Sequence, residues 1–376
     1  MIRVLHVVGC LERGGTEAFI MNLYRNIDRS KIQFDFLVLH EKDYPYIEEI
    51  KELGGNIYYG IPFRKKRIGA FLKKCISIMQ QTPYTAVHSH LNVMNGWILL
   101  AAKLAGIPQR ISHSHDTYGK DGRGLERWMH KVECFFIRRC STHLLACTTT
   151  AGEYLYGEKL FAQRGEVILN GIDVEKFLNV SGKPKDVYIP SNATLVIGNI
   201  SRFEAKKNQL FLLDVFAEIL ALEPNAILLL GGVDGGQLDE CREKAKQLGI
   251  TQNVQFIGVR RDMPQVLHLL DVYAFPSLYE GLGIVLLEAQ AAGCYCVAST
   301  ACPPDSDMGL GRIDYISLEN DAKTWAQRIL TGYAKAKSYP SLPDVRDTFN
   351  RKKYSISWLS SKMTGIYTGK NFDETK

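Results

Sequence analysis

The sequence lacks any apolar run approaching the ~20 residues that a membrane-spanning helix requires. Its first segment, Met1 to Val8, also lacks a basic region followed by an apolar stretch and a cleavage site. This segment therefore predicts a first β-strand and not a secretory signal peptide. Both absences favour a cytoplasmic protein.

Cysteine pairs of the C-x-x-C type are missing as well, although the chain contains nine cysteines. Cys294 and Cys296 are too close in sequence for a normal disulfide. An odd number of unpaired thiols is typical of a reduced cytoplasmic protein.

The chain has no strong net charge, since its formal charge is only +6 over 376 residues. We expect no nucleic-acid partner. Apolar residues make up 46% and charged residues 23%, as in ordinary globular proteins. The length suggests two domains, each able to bury its own core.

Six basic residues fall between Arg64 and Lys74, next to an apolar stripe that predicts an amphipathic helix. The stripe consists of Ile68, Phe71, Leu72, Cys75, Ile76 and Met79. One interpretation is peripheral contact of Arg64–Met79 with the anionic inner face of the cell membrane. The other is an ordinary layer helix with a solvated basic face, which we favour because packing on a sheet requires the same stripe.

The dinucleotide fingerprint G-x-G-x-x-G is absent from the loop after the first strand, which contains Gly14-Gly15-Thr16-Glu17. Strands and helices nevertheless alternate up to a turn signal at Asn170–Asp173. We predict domains at 1–170 and 171–352, with a C-terminal helix at about 353–376 that packs back on the first domain. The second half repeats the alternation, so both halves indicate an α/β class with doubly wound parallel sheets.

Two His-x-His pairs, His88/His90 and His113/His115, stand at the ends of neighbouring predicted strands. A zinc site is one interpretation. No thiol or carboxylate is spaced as a partner, so we favour hydrogen-bonding or acid–base roles and predict no metal.

A strand, a glycine turn and a helix occur together at Val272–Ala292, with Gly281 and Gly283 in the turn. Free amides at such a helix start favour a phosphate. The two glutamates that bracket the turn, Glu280 and Glu288, are then left for hydroxyl groups, and this combination predicts a nucleotide sugar.

Arg202 and Lys207 follow the first strand of the second half. Both can point at the carboxyl edge of the sheet, where an Arg and a Lys suit a diphosphate. A solvated basic loop is the alternative, but the Glu280 segment on the same edge favours the diphosphate.

Together these segments resemble the retaining glycosyltransferases of family 4, which have the GT-B fold of two facing Rossmann-like domains with a deep interdomain cleft. The resemblance rests on Gly14–Glu17, Ser201–Phe203 with Lys207-Asn208, Glu280–Glu288 and, between the domains, Asn170–Asp173. It covers the chain from the first strand to about residue 300.

The resemblance implies a role for each residue of the nucleotide-sugar site. Glu288 would bind the ribose and Glu280 the hydroxyls of the donor sugar, while Arg202 and Lys207 neutralise the diphosphate. The remaining contacts would come from the amides of Gly283, Ile284 and Val285, from the base-contacting loop at Val259, and from Gly15 of the first domain. His115 would be the histidine of the acceptor-binding domain, with His113 as the second choice.

The implied activity is metal-independent transfer of a hexose-type sugar, from UDP by preference, to a glycan or lipid-linked acceptor in surface polysaccharide synthesis. No cofactor is expected besides the nucleotide sugar, which is a co-substrate. A nucleotide-sugar epimerase of similar fold and a membrane-docked binding protein without catalysis are the alternatives.

Overall fold

The computed structural model describes residues 1–12, 14–63, 67–115, 125–184, 186–280, 282–337 and 344–370. It divides into two compact units, Met1–Gly171 with Lys353–Lys376 (unit 1) and Ile172–Lys352 (unit 2). Each unit contains one sheet with parallel strand pairing, covered by helices. The predicted class of two doubly wound α/β domains is confirmed.

The strands of unit 1 are β1 (Ile2–Val8), β2 (Ile32–Val38), β3 (Ile57–Tyr59), β4 (Ala86–Ser89), β5 (Gln109–Ser114), β6 (His143–Ala146) and β7 (Gly165–Val167). Its helices are α1 (Gly15–Asn26), α2 (Ile47–Glu52), α3 (Ile68–Met79), α4 (Asn95–Leu104), α5 (Leu125–Cys140), α6 (Thr149–Tyr156), α7 (Glu158–Arg164) and, from the C-terminal segment, α15 (Ile356–Thr368). The strand order in the described residues is β3-β2-β1-β4-β5-β6-β7.

Strand β2 is buried at all seven of its positions. Such a nearly continuous buried run is typical of a parallel strand that is covered by helices on both faces. Helix α15 begins where the hydroxyl of Ser355 accepts the amide hydrogen of Trp358 at 3.2 Å. Met363 and Tyr367 of α15 lie fully buried in the same core as β1 and β2.

The strands of unit 2 are β8 (Leu195–Ile200), β9 (Ala226–Gly231), β10 (Val254–Gly258), β11 (Val272–Phe275), β12 (Tyr295–Ser299) and β13 (Ile313–Ile316). Its helices are α8 (Val174–Leu178), α9 (Gln209–Leu220), α10 (Leu238–Gln247), α11 (Met263–Leu267), α12 (Ile284–Ala291), α13 (Ala322–Lys337) and α14 (Val345–Arg351). The strand order in the described residues is β10-β9-β8-β11-β12-β13.

The order of strands in unit 2 reverses between β8 and β11. The chain first winds outward from β8 through β9 to β10, and then continues on the other side from β11. Ligands of open parallel sheets bind beyond the carboxyl ends of the strands at such a switch point. The loops after β8 and β11 contain Arg202, Lys207 and Glu280.

Candidate active site

The loops after β8 and β11 are joined at the switch point by hydrogen bonds. The amide of Leu278 donates to the carbonyl of Lys206 at 2.7 Å. The side-chain amide of Asn208 donates to the carbonyl of Pro276 at 3.1 Å. Asn208 adopts a left-handed conformation with φ of 57°, which ends the turn and begins α9. Segments far apart in sequence are thereby held as one surface.

Lys207 and Glu280 form an ion pair through Nζ and Oε1, with side chains only 14% and 9% exposed. The same ammonium lies 5.0 Å from the ring centre of Phe275. Removing one partner of such an enclosed pair leaves an uncompensated charge. The sequence predicted the two groups for different parts of the ligand, and the structure adds that they contact each other.

The neighbouring Lys206 has a different environment. Its Nζ lies 3.5 Å from a carboxylate oxygen of Glu204 and 5.5 Å from the ring centre of Tyr279. A short 3-10 helix, Ala205–Lys207, separates the directions of the two lysines. Of the two, Lys207 is the one that lies against Glu280.

Arg202 is exposed and forms no ion pair with any described residue. Its aliphatic stem lies over Gly235, where an added Cβ would come within 3.0 Å of Cγ. The backbone carbonyl of Arg202 accepts a hydrogen bond from Gln209 at 2.9 Å, which fixes the loop. The guanidinium is therefore available for an anionic ligand.

Helix α12 begins at Gly283, which has φ of 71° and provides no side-chain cap. The amides of Ile284 and Val285 have no hydrogen-bond acceptor in the described part of the chain. Free N–H groups at a helix start attract anions. The predicted Gly281 lies outside the described residues.

Glu288 is half-buried on α12, just over one turn from its start. Burial raises the pKa of its carboxyl from 4.5 to about 7. The carboxyl forms neither a hydrogen bond nor an ion pair within the described residues. A half-buried acceptor without a partner suits the hydroxyl groups of a ligand.

Val259 lies in the loop after β10 and is 54% exposed. Backbone bonds connect this loop to the switch point: Gly232 donates to the carbonyl of Gly258, and Ser201 to that of Gly231, both at 2.8 Å. Gly232 has φ of 138°, and a Cβ there would lie 2.0 Å from the carbonyl oxygen of Ser201. Val259 therefore belongs to the same edge of the sheet, two strands from β8.

Gly15 of unit 1 is exposed at the start of α1, and an added Cβ would meet no atom within 4 Å. Nothing in the folded unit therefore requires a glycine there. By contrast, the carboxylate of Glu17 folds back so closely that a Cβ on Gly14 would lie 2.4 Å from it. Glu17 is thus part of the local fold, while Gly15 leaves room for a ligand.

His115 is half-buried at the end of β5, and its Nε2 lies 2.8 Å from Nδ1 of His90. Burial lowers the pKa of His115 to about 3, so its imidazole is neutral at physiological pH. The second choice, His113, is fully buried, and its Nε2 has no hydrogen-bond partner in the part of the chain that the structure describes.

The structure brings five histidines together, although the sequence indicated only the two His-x-His pairs. His6 of β1 is the fifth, and Tyr367 of α15 contacts two of them. Among the described residues, two histidine triplets each bring three nitrogens within 4.8 Å: His6 with His88 and His90, and His90 with His113 and His115. These are the groups that could hold a metal ion.

Helix α3 packs in the ordinary way, with Phe71, Cys75 and Met79 buried in the core of unit 1. Lys73 and Lys74 are exposed, while the predicted basic residues 64–66 lie outside the described part of the chain. Every helix in the described residues is too short or too polar to traverse a bilayer.

Two family models match the chain. Residues 13–176 match the model described as glycosyltransferase family 4, and residues 186–338 match the glycosyl transferases group 1. The chain is 34% identical over 374 residues to EpsF of Bacillus subtilis (strain 168), a protein named as a glycosyltransferase. This match covers 97% of this chain and 96% of EpsF.

Two further relatives have more specific names. The capsular polysaccharide biosynthesis glycosyltransferase CapH of Staphylococcus aureus is 28% identical, over 88% of this chain and 90% of its own. The Escherichia coli UDP-Gal:alpha-D-GlcNAc-diphosphoundecaprenol alpha-1,3-galactosyltransferase is 24% identical, over 71% and 72% of the two chains.

Solved structures are similar over the whole length. Anabaena HepE in complex with UDP and glucose superposes with a TM-score of 0.70 at 18% identity, covering 97% of this chain and 98% of HepE. At this identity the likeness shows the fold alone, which is the GT-B architecture expected from the sequence.

Proposed function

Because this chain belongs to the glycosyltransferases of family 4, we propose that it transfers a hexose-type sugar from UDP to a glycan or lipid-linked acceptor. The observation that supports this most is that several groups suited to a nucleotide sugar lie together at the switch point of unit 2. A paired lysine and glutamate, free helix amides and an unpaired half-buried glutamate lie on one sheet edge.

The donor is proposed to lie along the carboxyl edge of unit 2. Glu288 accepts the hydroxyl hydrogens of the ribose, and the loop at Val259 contacts the base. The diphosphate takes charge-assisted bonds from Arg202 and Lys207, and further bonds from the amides of the α12 start, Gly283 to Val285. UDP is supported by the HepE structure, which is a complex with UDP and glucose, and by the name of the E. coli relative, which specifies UDP-Gal.

Glu280 is proposed to hold the hydroxyls of the donor sugar while keeping contact with Lys207. An ammonium has three donors, so Lys207 can bond to Glu280 and to a phosphate oxygen together. The ion pair would then orient the lysine before the ligand arrives. It would also couple sugar binding to stabilisation of the leaving group.

The transfer is proposed to retain the anomeric configuration. The acceptor oxygen attacks the anomeric carbon on the face from which the diphosphate departs. The bond from that carbon to the phosphate oxygen breaks with its electron pair on the phosphate, which then takes the acceptor's proton. Arg202, Lys207 and the helix amides would stabilise the developing charge, so we propose that no metal is required.

Unit 1 is proposed to bind the acceptor, with His115 at its acceptor site and Gly15 leaving room for substrate. Glycan and lipid-linked acceptors are supported by the names of CapH and of the E. coli relative, which also support a role in surface polysaccharide synthesis. The nine cysteines form no disulfide within the described residues, and this supports the cytoplasm as the compartment. Peripheral membrane contact through α3 is proposed from its exposed Lys73 and Lys74.

The epimerase and the non-catalytic binding protein are not favoured, since EpsF, CapH and the E. coli relative are all named as transferases. The donor site is tested by thermal unfolding with UDP or GDP, without metal, on the wild type and on Glu288→Ala. A ligand at 100 times its Kd adds about 2.7 kcal/mol of stability. A shift with UDP that Glu288→Ala abolishes supports the site, and no shift with either nucleotide contradicts it.

A further inference from the structure

Five histidines of unit 1 form one continuous hydrogen-bonded chain with a phenol in its middle. Its order is His115, His90, His6, Tyr367, His88, His113. These groups come from β1, from the ends of β4 and β5, and from α15. His115 is half-buried, whereas the other five groups are buried.

The outer half of the chain leads inward from His115. Nε2 of His115 lies 2.8 Å from Nδ1 of His90, and Nε2 of His90 lies 3.1 Å from Nδ1 of His6. Nε2 of His6 lies 3.5 Å from the hydroxyl of Tyr367. Each contact therefore joins Nε2 of the outer group to the next group inward.

The inner half repeats the pattern. The hydroxyl of Tyr367 lies 2.9 Å from Nδ1 of His88, and Nε2 of His88 lies 3.1 Å from Nδ1 of His113. The chain stops there, because Nε2 of His113 is buried without a partner among the described residues. Every link between imidazoles thus pairs a Nδ1 with a Nε2.

Each imidazole is neutral, because burial lowers the pKa of all five histidines, to about 3 for His6 and His115. Burial also raises the pKa of Tyr367, which keeps its proton. A neutral imidazole has one N–H and one bare nitrogen. With five Nδ1-to-Nε2 rings in series, and with the buried Tyr367 hydroxyl donating to one neighbouring histidine and accepting from the other, an unbroken chain has only two arrangements: all hydrogens on Nδ1 or all on Nε2.

The inner end separates the two arrangements. With hydrogens on Nε2, His113 would bury an N–H that has no acceptor. With hydrogens on Nδ1, His113 buries only a bare acceptor, and the free N–H belongs to the half-buried His115, where water can accept it. Buried N–H groups without an acceptor are rarer than under-satisfied acceptors. The lower end of the free-energy cost of burying such an N–H corresponds to a roughly five-fold excess of the Nδ1–H arrangement over the Nε2–H arrangement.

We propose that this chain holds all five histidines in the Nδ1–H form, so that His115 presents an N–H donor and not a base. His90, His6, Tyr367, His88 and His113 are positioning residues for that hydrogen. The inference rests on the proposed function, in which the departing phosphate takes the acceptor's proton. Unit 1 then needs a fixed donor for a substrate oxygen and needs no base.

The test is the 15N NMR spectrum of the histidine side chains in the uniformly labelled full-length protein at pH 7.5. The shifts of Nδ1 and Nε2 report directly which nitrogen carries hydrogen. The expected spectrum has five histidines protonated at Nδ1, including His115. In each of them the Nδ1–H form should exceed the Nε2–H form by at least roughly five-fold. Predominant Nε2–H at His115, or an even mixture, overturns the proposal, and this wild-type result needs no variant.

His90→Leu removes the group that donates to Nε2 of His115, and His143→Leu is the matched control on β6, outside the chain. His90→Leu should release His115 from the Nδ1–H form, while His143→Leu leaves it unchanged. Retention of the Nδ1–H form in a folded His90→Leu variant overturns the positioning role.

Activity provides an independent second readout. If the fixed N–H contacts substrate, His90→Leu should lower kcat by roughly 2- to 10-fold without changing the donor KM. Absence of transfer in the wild type would contradict the proposed function and leave the NMR result standing. Stoichiometric Zn²⁺ binding by the wild type that His90→Leu abolishes would overturn the chain, because the nitrogens would then serve a metal.

Discussion

Replacing Glu288 by glutamine should make the protein more stable and, at the same time, weaken its binding of UDP. The pKa of this carboxyl is raised from 4.5 to about 7 by burial, so the folded chain binds the proton more tightly than the unfolded chain. Between pH 4.5 and about 7 the free energy of unfolding falls as pH rises. Above pH 7 the folded chain bears the full free-energy cost of holding the Glu288 carboxylate charged.

The magnitude follows from the shift. At about 1.4 kcal/mol per pKa unit, the movement from 4.5 to about 7 corresponds to at most about 3 kcal/mol. Because Glu288 is half-buried and not enclosed, we expect the glutamine variant to gain about 1–2 kcal/mol at pH 8.5. This gain raises the midpoint of thermal unfolding by about 2–8 °C and disappears towards pH 4.5.

The assay is thermal unfolding at pH 5, 7 and 8.5, together with calorimetric titration of UDP. Loss of a hydrogen bond between the ribose hydroxyls and the charged carboxylate should lower the affinity for UDP by about 10- to 150-fold. Glu218→Gln is the matched control, since this glutamate is exposed on α9. Equal stability of wild type and Glu288→Gln at pH 8.5 refutes the account of burial. Equal UDP affinity refutes the ribose role.

Lys207→Met should cost about 3–5 kcal/mol of stability, measured by denaturant unfolding, because its carboxylate partner is left buried and unpaired. Arg202→Ala should leave stability within about 0.5 kcal/mol, because the side chain is exposed. Calorimetry should show that Arg202→Ala lowers the affinity for UDP by about 10-fold or more. Gly15→Ala should keep stability, since a Cβ meets no atom within 4 Å, and should raise the donor KM in a steady-state assay. Lys73→Glu with Lys74→Glu should reduce flotation with anionic liposomes by removing cationic charge from α3.

Lys206→Met and Gly232→Ala are the controls for Lys207→Met and Gly15→Ala. Lys206→Met should cost less than about 1 kcal/mol, since the side chains of its ion pair are 34% and 28% exposed, and equal costs at both lysines would contradict the buried pair. Gly232→Ala should unfold the site, because its Cβ would lie 2.0 Å from a carbonyl oxygen. Undiminished UDP affinity in Arg202→Ala would contradict a role for Arg202 in diphosphate binding. Unchanged flotation of the Lys73→Glu, Lys74→Glu variant would contradict membrane contact through α3.

Local pattern predicted most of the fold because parallel strands buried on both faces are nearly continuous apolar runs. The sequence pattern does not predict strand β13, since three of its four residues are half-buried and give no continuous apolar run. It does not predict helix α13 either. Its Trp325 is fully buried in the core of unit 2. Burial of that kind depends on tertiary packing, which a sequence window does not contain.

The site was less predictable where it depends on long-range contacts. Spacing placed Glu288 and the α12 amides on one element. The contact of Lys207 with Glu280 joins residues 73 apart, and its geometry depends on hydrogen bonds between two loops. The link of His6 to Tyr367 spans 361 residues and arises only because α15 returns to unit 1. No local pattern of residues records such contacts.

The reaction that we propose is transfer with retained configuration from a nucleotide sugar, without metal, at the Glu280–Lys207 site. Its most direct test incubates the protein with UDP-galactose or UDP-glucose and a diphosphoundecaprenol-linked sugar in EDTA, with proton NMR of the product. We predict a new glycosidic linkage with the anomeric configuration of the donor, and no product from Glu280→Gln. An inverted linkage, or transfer that occurs only when a divalent cation replaces EDTA, would contradict the account.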